Sequence, residues 1–204
     1  MNVLMVMAHP DDEVLFGWPV LRSSKDSVSL LVLMNNRAKY GQGPSDAVFE
    51  VARDCGIEHT AVLNFETNAY RLPTRNATPT LRQVADDMRS HISGYVKTQR
   101  IDVIFTHNPM GEYGHGDHRL VFNLASMFGL PMMLTDICFT NPCHVSSHLI
   151  PRVYKHFYSL GERLCDCELD EAWYERMKAI YERRHAWSWS GHEPVHKCNL
   201  FLFR

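Results

Sequence analysis

Two short stretches of this chain concentrate residues able to hold a metal ion and move a proton. The first is Ala8-His9-Pro10-Asp11-Asp12-Glu13; the second runs from Thr106-His107-Asn108-Pro109 into Gly111-Glu112-Tyr113-Gly114-His115-Gly116-Asp117-His118. A neutral imidazole and a carboxylate are suitable zinc ligands, and three protein ligands plus a water mark a catalytic rather than a structural zinc. His9 and Asp12 supply two of the three. Pro10 fixes φ and stops a strand from continuing, which helps the chain fold back so that residues three apart face one point. Asp11 must then leave the backbone in another direction from Asp12, which suits it to accept a proton rather than to bind the ion. In the second stretch, a helix opening at 115–118 makes His115 and His118 neighbours on one face, one to bind metal and the other for electrostatic work. The glycines at 111, 114 and 116 would let the loop take positive φ and approach closely. Asp117 is placed to accept a ring N–H from one of the imidazoles.

Such groups need strands that end side by side. Short runs rich in Val, Ile, Leu and Met alternate with segments of helical period, the pattern of an α/β domain with a largely parallel sheet. Strands are expected at 2–8 and 28–34, apolar on both faces as helices on both sides require, and at 59–64 and 101–106. Helices are expected at 12–23, 45–55, 80–98 and 116–128. Beyond residue 130 the pattern is less regular: strands at 132–139, 152–160 and 197–203 and a helix at 170–184, punctuated by Pro142, Pro151 and Pro194. In an open sheet of this kind the functional groups collect at the carboxyl ends of strands, where both polar stretches lie.

Composition bounds the partners. The 204 residues suit one domain spanning 1–204, with 45% hydrophobic and 22% charged residues. A formal net charge of −2 offers no positive field for nucleic acid, so a small molecule is the expected partner. The apolar start ends in charged residues with neither a basic region nor a cleavage site, unlike a signal peptide, and no run is long enough to span a membrane. Six cysteines without regular spacing are expected as reduced thiols in a cytoplasmic protein.

The HPDDE stretch after the first strand, together with the downstream GEYGHGDH, resembles the PIG-L/LmbE-like family of metal-dependent de-N-acetylases. The strand and helix order matches along most of the chain, and Lys178-Ala179-Ile180-Tyr181 looks like the helix that follows the family core. The resemblance implies a Rossmann-like three-layer α/β fold and removal of an acetyl group from an N-acetylated amino sugar or its conjugate. It implies His9, Asp12 and His118 as ligands of one divalent ion, zinc by preference, and Asp11 as general base. It further implies His115 as the charged partner of the reaction, Asp117 as its orienting neighbour and Tyr113 as an oxyanion donor. On that scheme the ion acidifies a water, Asp11 takes its proton, hydroxide attacks the acetamide carbonyl, and Asp11 or His115 protonates the departing amine.

The chain departs from the pattern at one point. Related enzymes carry a sugar-reading arginine near the start of the second helix, where Gly41-Gln42-Gly43-Pro44-Ser45-Asp46-Ala47 stands here. Arg37, Lys39, Arg71 and Arg75 are the candidates to replace it. Trp187 and Trp189 are candidates to stack on a sugar ring, to pack the core or to cover the cleft. His144 and His148 near Cys138 and Cys143 fit no common zinc finger. Gly41-x-Gly43 is too short for a dinucleotide fingerprint. Two rival functions are a metal-assisted phosphoesterase, which would need more ligands for a two-metal centre, and a non-catalytic Rossmann-like binding module.

Overall fold

Alternation along the first strand decides the layering. In β1 (Asn2–Met7), Val3, Met5 and Met7 join one core cluster, while Leu4 and Val6 join the cluster on the opposite face. Successive side chains of a strand point to opposite faces, so a strand apolar at every position must be covered twice. β2 (Ser27–Met34) repeats the pattern, with Leu30 and Val32 on the first face and Leu31 and Leu33 on the second. The structure, a computed structural model, describes residues 1–22, 27–35, 41–65, 81–138, 155–189 and 194–204.

Along the chain follow α1 (Asp12–Leu15) and α2 (Trp18–Leu21) before β2, then α3 (Gly43–Asp54), β3 (His59–Phe65), α4 (Leu81–Thr98) and β4 (Val103–Thr106). After them come α5 (Gly111–Gly114), α6 (Gly116–Ser126), β5 (Met132–Thr135), β6 (Glu162–Glu168), α7 (Glu171–Arg183) and β7 (Lys197–Phe203). The strands form one seven-stranded sheet in the order β3-β2-β1-β4-β5-β7-β6. The first five run parallel, and β7 pairs antiparallel with both β5 and β6. Residues of α1, α2, α3 and α7 cover the first face, and residues of α4 and α6 cover the second. This is the expected α/β fold in three layers.

Strand order reverses between β1 and β4, where the chain leaves β1 to build outward in one direction and leaves β4 to build in the other. Such a switch point opens a crevice at the carboxyl ends of the two strands. Both polar stretches emerge there.

Four differences from the expected elements have physical reasons. The helix expected at 12–23 is two single turns, because Pro19 has no N–H to continue the ladder and its ring crowds the preceding turn; residues 23–26 lie outside the described ones. The strand expected at 152–160 is helical at residues 155–158 and turns at 159–160, with 152–154 outside the described residues. Its aromatic residues Phe157 and Tyr158 pack instead on Phe203 and Phe201 of β7. β6, Glu-Arg-Leu-Cys-Asp-Cys-Glu, was not expected, since it is an exposed edge strand without an apolar face to give it away. Of the run expected at 132–139, only Met132–Thr135 is strand, and residues 136–138 leave it.

None of the five described cysteines is in a disulfide, and Cys143 lies outside the described residues. No helix among the described residues is long and apolar enough to cross a membrane.

Candidate metal centre and active site

The loop after β1 folds back as the proline requires. Asp12 Oδ2 accepts the backbone N–H of His9 at 2.7 Å and lies 3.2 Å from His9 Nδ1. Asp11 at the bend has φ 90°, a left-handed conformation that side chains other than glycine seldom adopt. Two buried groups hold it: Asp11 N–H donates to Tyr181 Oη at 2.9 Å and to Glu13 Oε2 at 3.1 Å. The Tyr181 hydroxyl in turn donates to Glu13 Oε1. The bend thus sends the carboxylates of Asp11 and Asp12 different ways. Asp11 Oδ2 accepts the backbone N–H of Ser188 at 3.1 Å and its hydroxyl proton.

The loop after β4 brings the histidines in. Gly111 has φ 67°, and a Cβ there would lie 3.0 Å from Arg119 Cγ and 3.3 Å from His118 Cβ, so this turn requires glycine. Gly114 is also at positive φ, while Gly116 opens α6. His115 caps α6, its Nδ1 accepting the Asp117 N–H at 3.2 Å. His115 and His118 lie on one face as their spacing requires, with ring centroids 4.5 Å apart. Asp117 Oδ2 is 3.0 Å from His9 Nε2, and the Asp117 backbone amide meets His115 Nδ1. His107 stacks on His118 at 3.9 Å, and one Glu112 carboxylate oxygen meets Nδ1 of both rings. Tyr113 lies with its ring 5.6 Å from those of His115 and His118.

Among the described residues, two groups of side chains have ligand atoms close enough to share an ion: His9, His115 and His118, and Asp12, His107 and His118. His118 belongs to both, and Asp12 Oδ2 joins them, at 3.2 Å from His9 Nδ1 and 3.4 Å from His118 Nε2. His118 Nε2 is buried without a hydrogen-bond partner. Buried polar atoms are almost always satisfied, so an unmatched ring nitrogen among imidazoles and a carboxylate fits a divalent cation. His107 is a poorer ligand than its position suggests, because its Nε2 already accepts the Ala8 N–H at 3.0 Å.

Burial and neighbours set the charges. Burial, and then Asp12, push the Asp11 carboxyl up to about 7 against the Ser188 hydrogen bonds. Burial opposes charge on Asp12, but His118 and His107 hold it well below the usual carboxylate range. Burial also disfavours a charged His9, and its hydrogen bonds to Asp117 and Asp12 outweigh that, raising it to about 10. For His115, burial and then His118 and His9 lower the value to about 3, so the imidazole is neutral with its lone pair on the capping Nδ1. Burial disfavours charge on His107, while Glu112 and Asp12 raise it to about 9; the amide proton of Ala8 aimed at Nε2 nevertheless requires a lone pair there, and the hydrogen-bond geometry decides for the neutral ring. Burial, and then Asp12 and Glu112, push the Tyr113 phenol up, so it stays a donor.

A cleft of about 610 Å³ opens over these groups. His9, Asp11, Asp12, Tyr113, His115 and Asp117 line its floor, and Trp187, Ser188 and Trp189 line one wall. Trp189 packs against Tyr113 and Phe16, with ring centroids 5.5 and 6.1 Å away, so the tryptophans belong partly to the core and partly to the cleft. Arg37, Lys39, Arg71, Arg75, His144 and His148 lie outside the described residues. Sequence reasoning gave no role to Glu13, His107, Glu112, Tyr181 or Ser188. The first three stand inside the two polar stretches and were legible as acids and an imidazole among ligands. Tyr181 and Ser188 carry no local signal.

Solved structures share this architecture. A triple mutant deacetylase of the teicoplanin biosynthetic pathway superposes with a TM-score of 0.61 at 11% identity, covering 100% of this chain and 98% of that one. The A40926 pseudoaglycone deacetylase Dbv21 gives 0.58 at 12% identity, covering 99% and 97%. The N,N'-diacetylchitobiose deacetylase of Pyrococcus horikoshii gives 0.52 at 14% identity, covering 99% and 83%. At such identities the likeness establishes the fold. In sequence, the uncharacterized protein L374 of Acanthamoeba polyphaga mimivirus is 25% identical over 176 residues, 79% of this chain and 72% of that protein. The family model for PIG-L, GlcNAc-PI de-N-acetylase, matches residues 4–128, which include both polar stretches and the strands that carry them. The chain belongs to the PIG-L family of de-N-acetylases.

Proposed function

We propose that this protein is a zinc-dependent hydrolase that removes the N-acetyl group of an amino sugar or amino-sugar conjugate. The observation that carries the reading is the meeting of His9, Asp12 and His118 at the switch point, with His118 Nε2 buried and unmatched. These three would hold the ion, and imidazole with carboxylate is a donor set suited to zinc. A bound divalent ion would polarise the acetamide carbonyl and acidify water.

The chain's own groups do the rest. Asp11 accepts a proton from the attacking water, and the Ser188 amide and hydroxyl aim its carboxylate. The strained bend at Asp11, clamped by Tyr181 and Glu13, keeps it from swinging into the ligand position of Asp12. Tyr113 and the neutral His115, with its proton on Nε2, donate to the oxyanion that develops on the substrate. Asp117 orients His9 through Nε2. Asp11 then delivers the proton to the departing amine, giving acetate and a free amino group. Tyr113, Trp187 and Trp189 give the cleft aromatic faces on which a sugar ring can stack. One domain and a reducing, cytoplasmic setting fit the single sheet and described cysteines that form no disulfide.

Acetate release from a panel of N-acetylhexosamine derivatives, with and without chelator, tests the reading. Chelator-sensitive release that returns with zinc is expected. Phosphate release from an aryl phosphate, with no acetate from any amide, would replace it with the phosphoesterase reading.

A further inference from the structure

Glu112 has no part in the scheme above, yet its placement is highly constrained. It is 1% exposed, and its backbone sits at φ 55°, ψ −55°, outside the conformations its side chain favours. Asn108 holds it there: Asn108 Oδ1 accepts the Glu112 N–H at 3.1 Å and the Met110 N–H at 3.0 Å, and Nδ2 donates to the Ile137 carbonyl at 3.0 Å. Strain kept by dedicated hydrogen bonds at a buried carboxylate calls for a function.

Its hydrogen bonds supply one. Glu112 Oε1 accepts the Asn108 N–H at 3.0 Å, and Oε2 accepts from Nδ1 of His118 at 2.6 Å and Nδ1 of His107 at 3.1 Å. An ionised carboxylate can only accept, so both Nδ1 atoms carry protons and, in a neutral ring, both Nε2 atoms carry lone pairs. Both carboxylate oxygens are engaged, Oε1 by the Asn108 amide and Oε2 by two ring nitrogens at once. The His107 lone pair meets the Ala8 N–H. The His118 lone pair meets no donor, and Nε2 is buried and unmatched. The two rings stack at 17°, so His107 also fixes the plane in which His118 lies.

We infer that Glu112 is a positioning residue: it locks His118, with His107 behind it, in the Nδ1–H tautomer and so presents Nε2 of His118 as a metal-ligating lone pair. The consequence for the metal rests on the proposed function; the tautomer does not. Glu112→Gln disturbs it whichever way the amide turns, because the NH2 must face either the two Nδ1–H groups or the Asn108 N–H.

The test has two arms. Long-range 15N–1H spectra of the metal-free wild-type protein, at mildly alkaline pH, should show His118 protonated on Nδ1 with Nε2 bare, and E112Q should lose that pattern. Chelator competition should give zinc binding roughly 10–100-fold weaker in E112Q, the usual size of an outer-partner loss. The wild-type spectrum needs no substitution, so a variant that fails to fold leaves the inference testable. A His118 protonated on Nε2 in the wild type, or wild-type zinc affinity and tautomer in a folded E112Q, would overturn it. A wild-type chain that takes no zinc yet shows the Nδ1–H tautomer would sink the metal reading alone and support the assignment made here.

Discussion

Asp12, His107, Glu112, Asp117 and His118 are each no more than 3% exposed, and all come from the segments of chain that follow β1 and β4. Trp187 and Trp189 are half-buried and Ser188 is exposed, and they reach the same cleft from beyond α7. The inner wall is a set of buried acids and imidazoles whose positions follow from parallel strands ending together. The outer wall is a short segment whose place depends on how α7 packs on the sheet. The difference separates two tasks, holding an ion and its base in fixed geometry, and shaping the space a substrate enters. Asp11 is where they meet, its amide held by the inner Glu13 and Tyr181 and its carboxylate held by the outer Ser188.

Removing the meeting point should have the largest effect. Asp11→Ala is expected to lower kcat by roughly 10²–10⁴-fold, the usual worth of a placed general base, with metal content unchanged; acetate-release rates beside metal analysis check both. A loss of metal equal to the loss of activity would put Asp11 among the ligands. Next, Tyr181→Phe takes a hydroxyl from a buried network that includes Glu13 and the Asp11 amide. It should cost about 1–3 kcal/mol of stability, as lost buried hydrogen bonds do, read as a shift of the denaturant midpoint.

Substitutions in the outer wall should behave otherwise. Trp189→Ala should raise KM, up to about tenfold, with a smaller change in kcat, in line with the ~0.5–1.5 kcal/mol of an aromatic contact. A fall in kcat at constant KM would instead assign Trp189 to the inner wall. Ser188→Ala, which keeps the amide donor and removes the hydroxyl, should lower kcat by about threefold to tenfold without loss of metal, from a hydrogen bond worth ~0.5–1.5 kcal/mol. Steady-state rates on the same N-acetylated substrate resolve the two.

The same division explains what could be read from the sequence. β1, β2 and the histidine and aspartate stretches were legible because apolar runs and ligand chemistry are both local in the chain. His9, Asp12, His115 and His118 are brought together as their spacing implies. The contact of the Asp117 carboxylate with His9 was not legible, since it reaches back across the switch point and spacing within the second stretch cannot reveal it. Glu112 stood in plain view without a role, because its importance lies in a backbone conformation and a stacked pair of rings. Tyr181 and Ser188 act through tertiary packing alone. β6 failed for a different reason: an edge strand with charged residues on exposed positions has no alternation to detect.

The central claim is that His118, together with His9 and Asp12, holds a divalent ion in the inner wall. The most direct measurement is the metal content and zinc affinity of the purified wild-type protein beside those of His118→Ala. The account predicts close to one ion per wild-type chain, removed by chelator, and its loss in the variant; retention of metal at wild-type affinity in His118→Ala would contradict it.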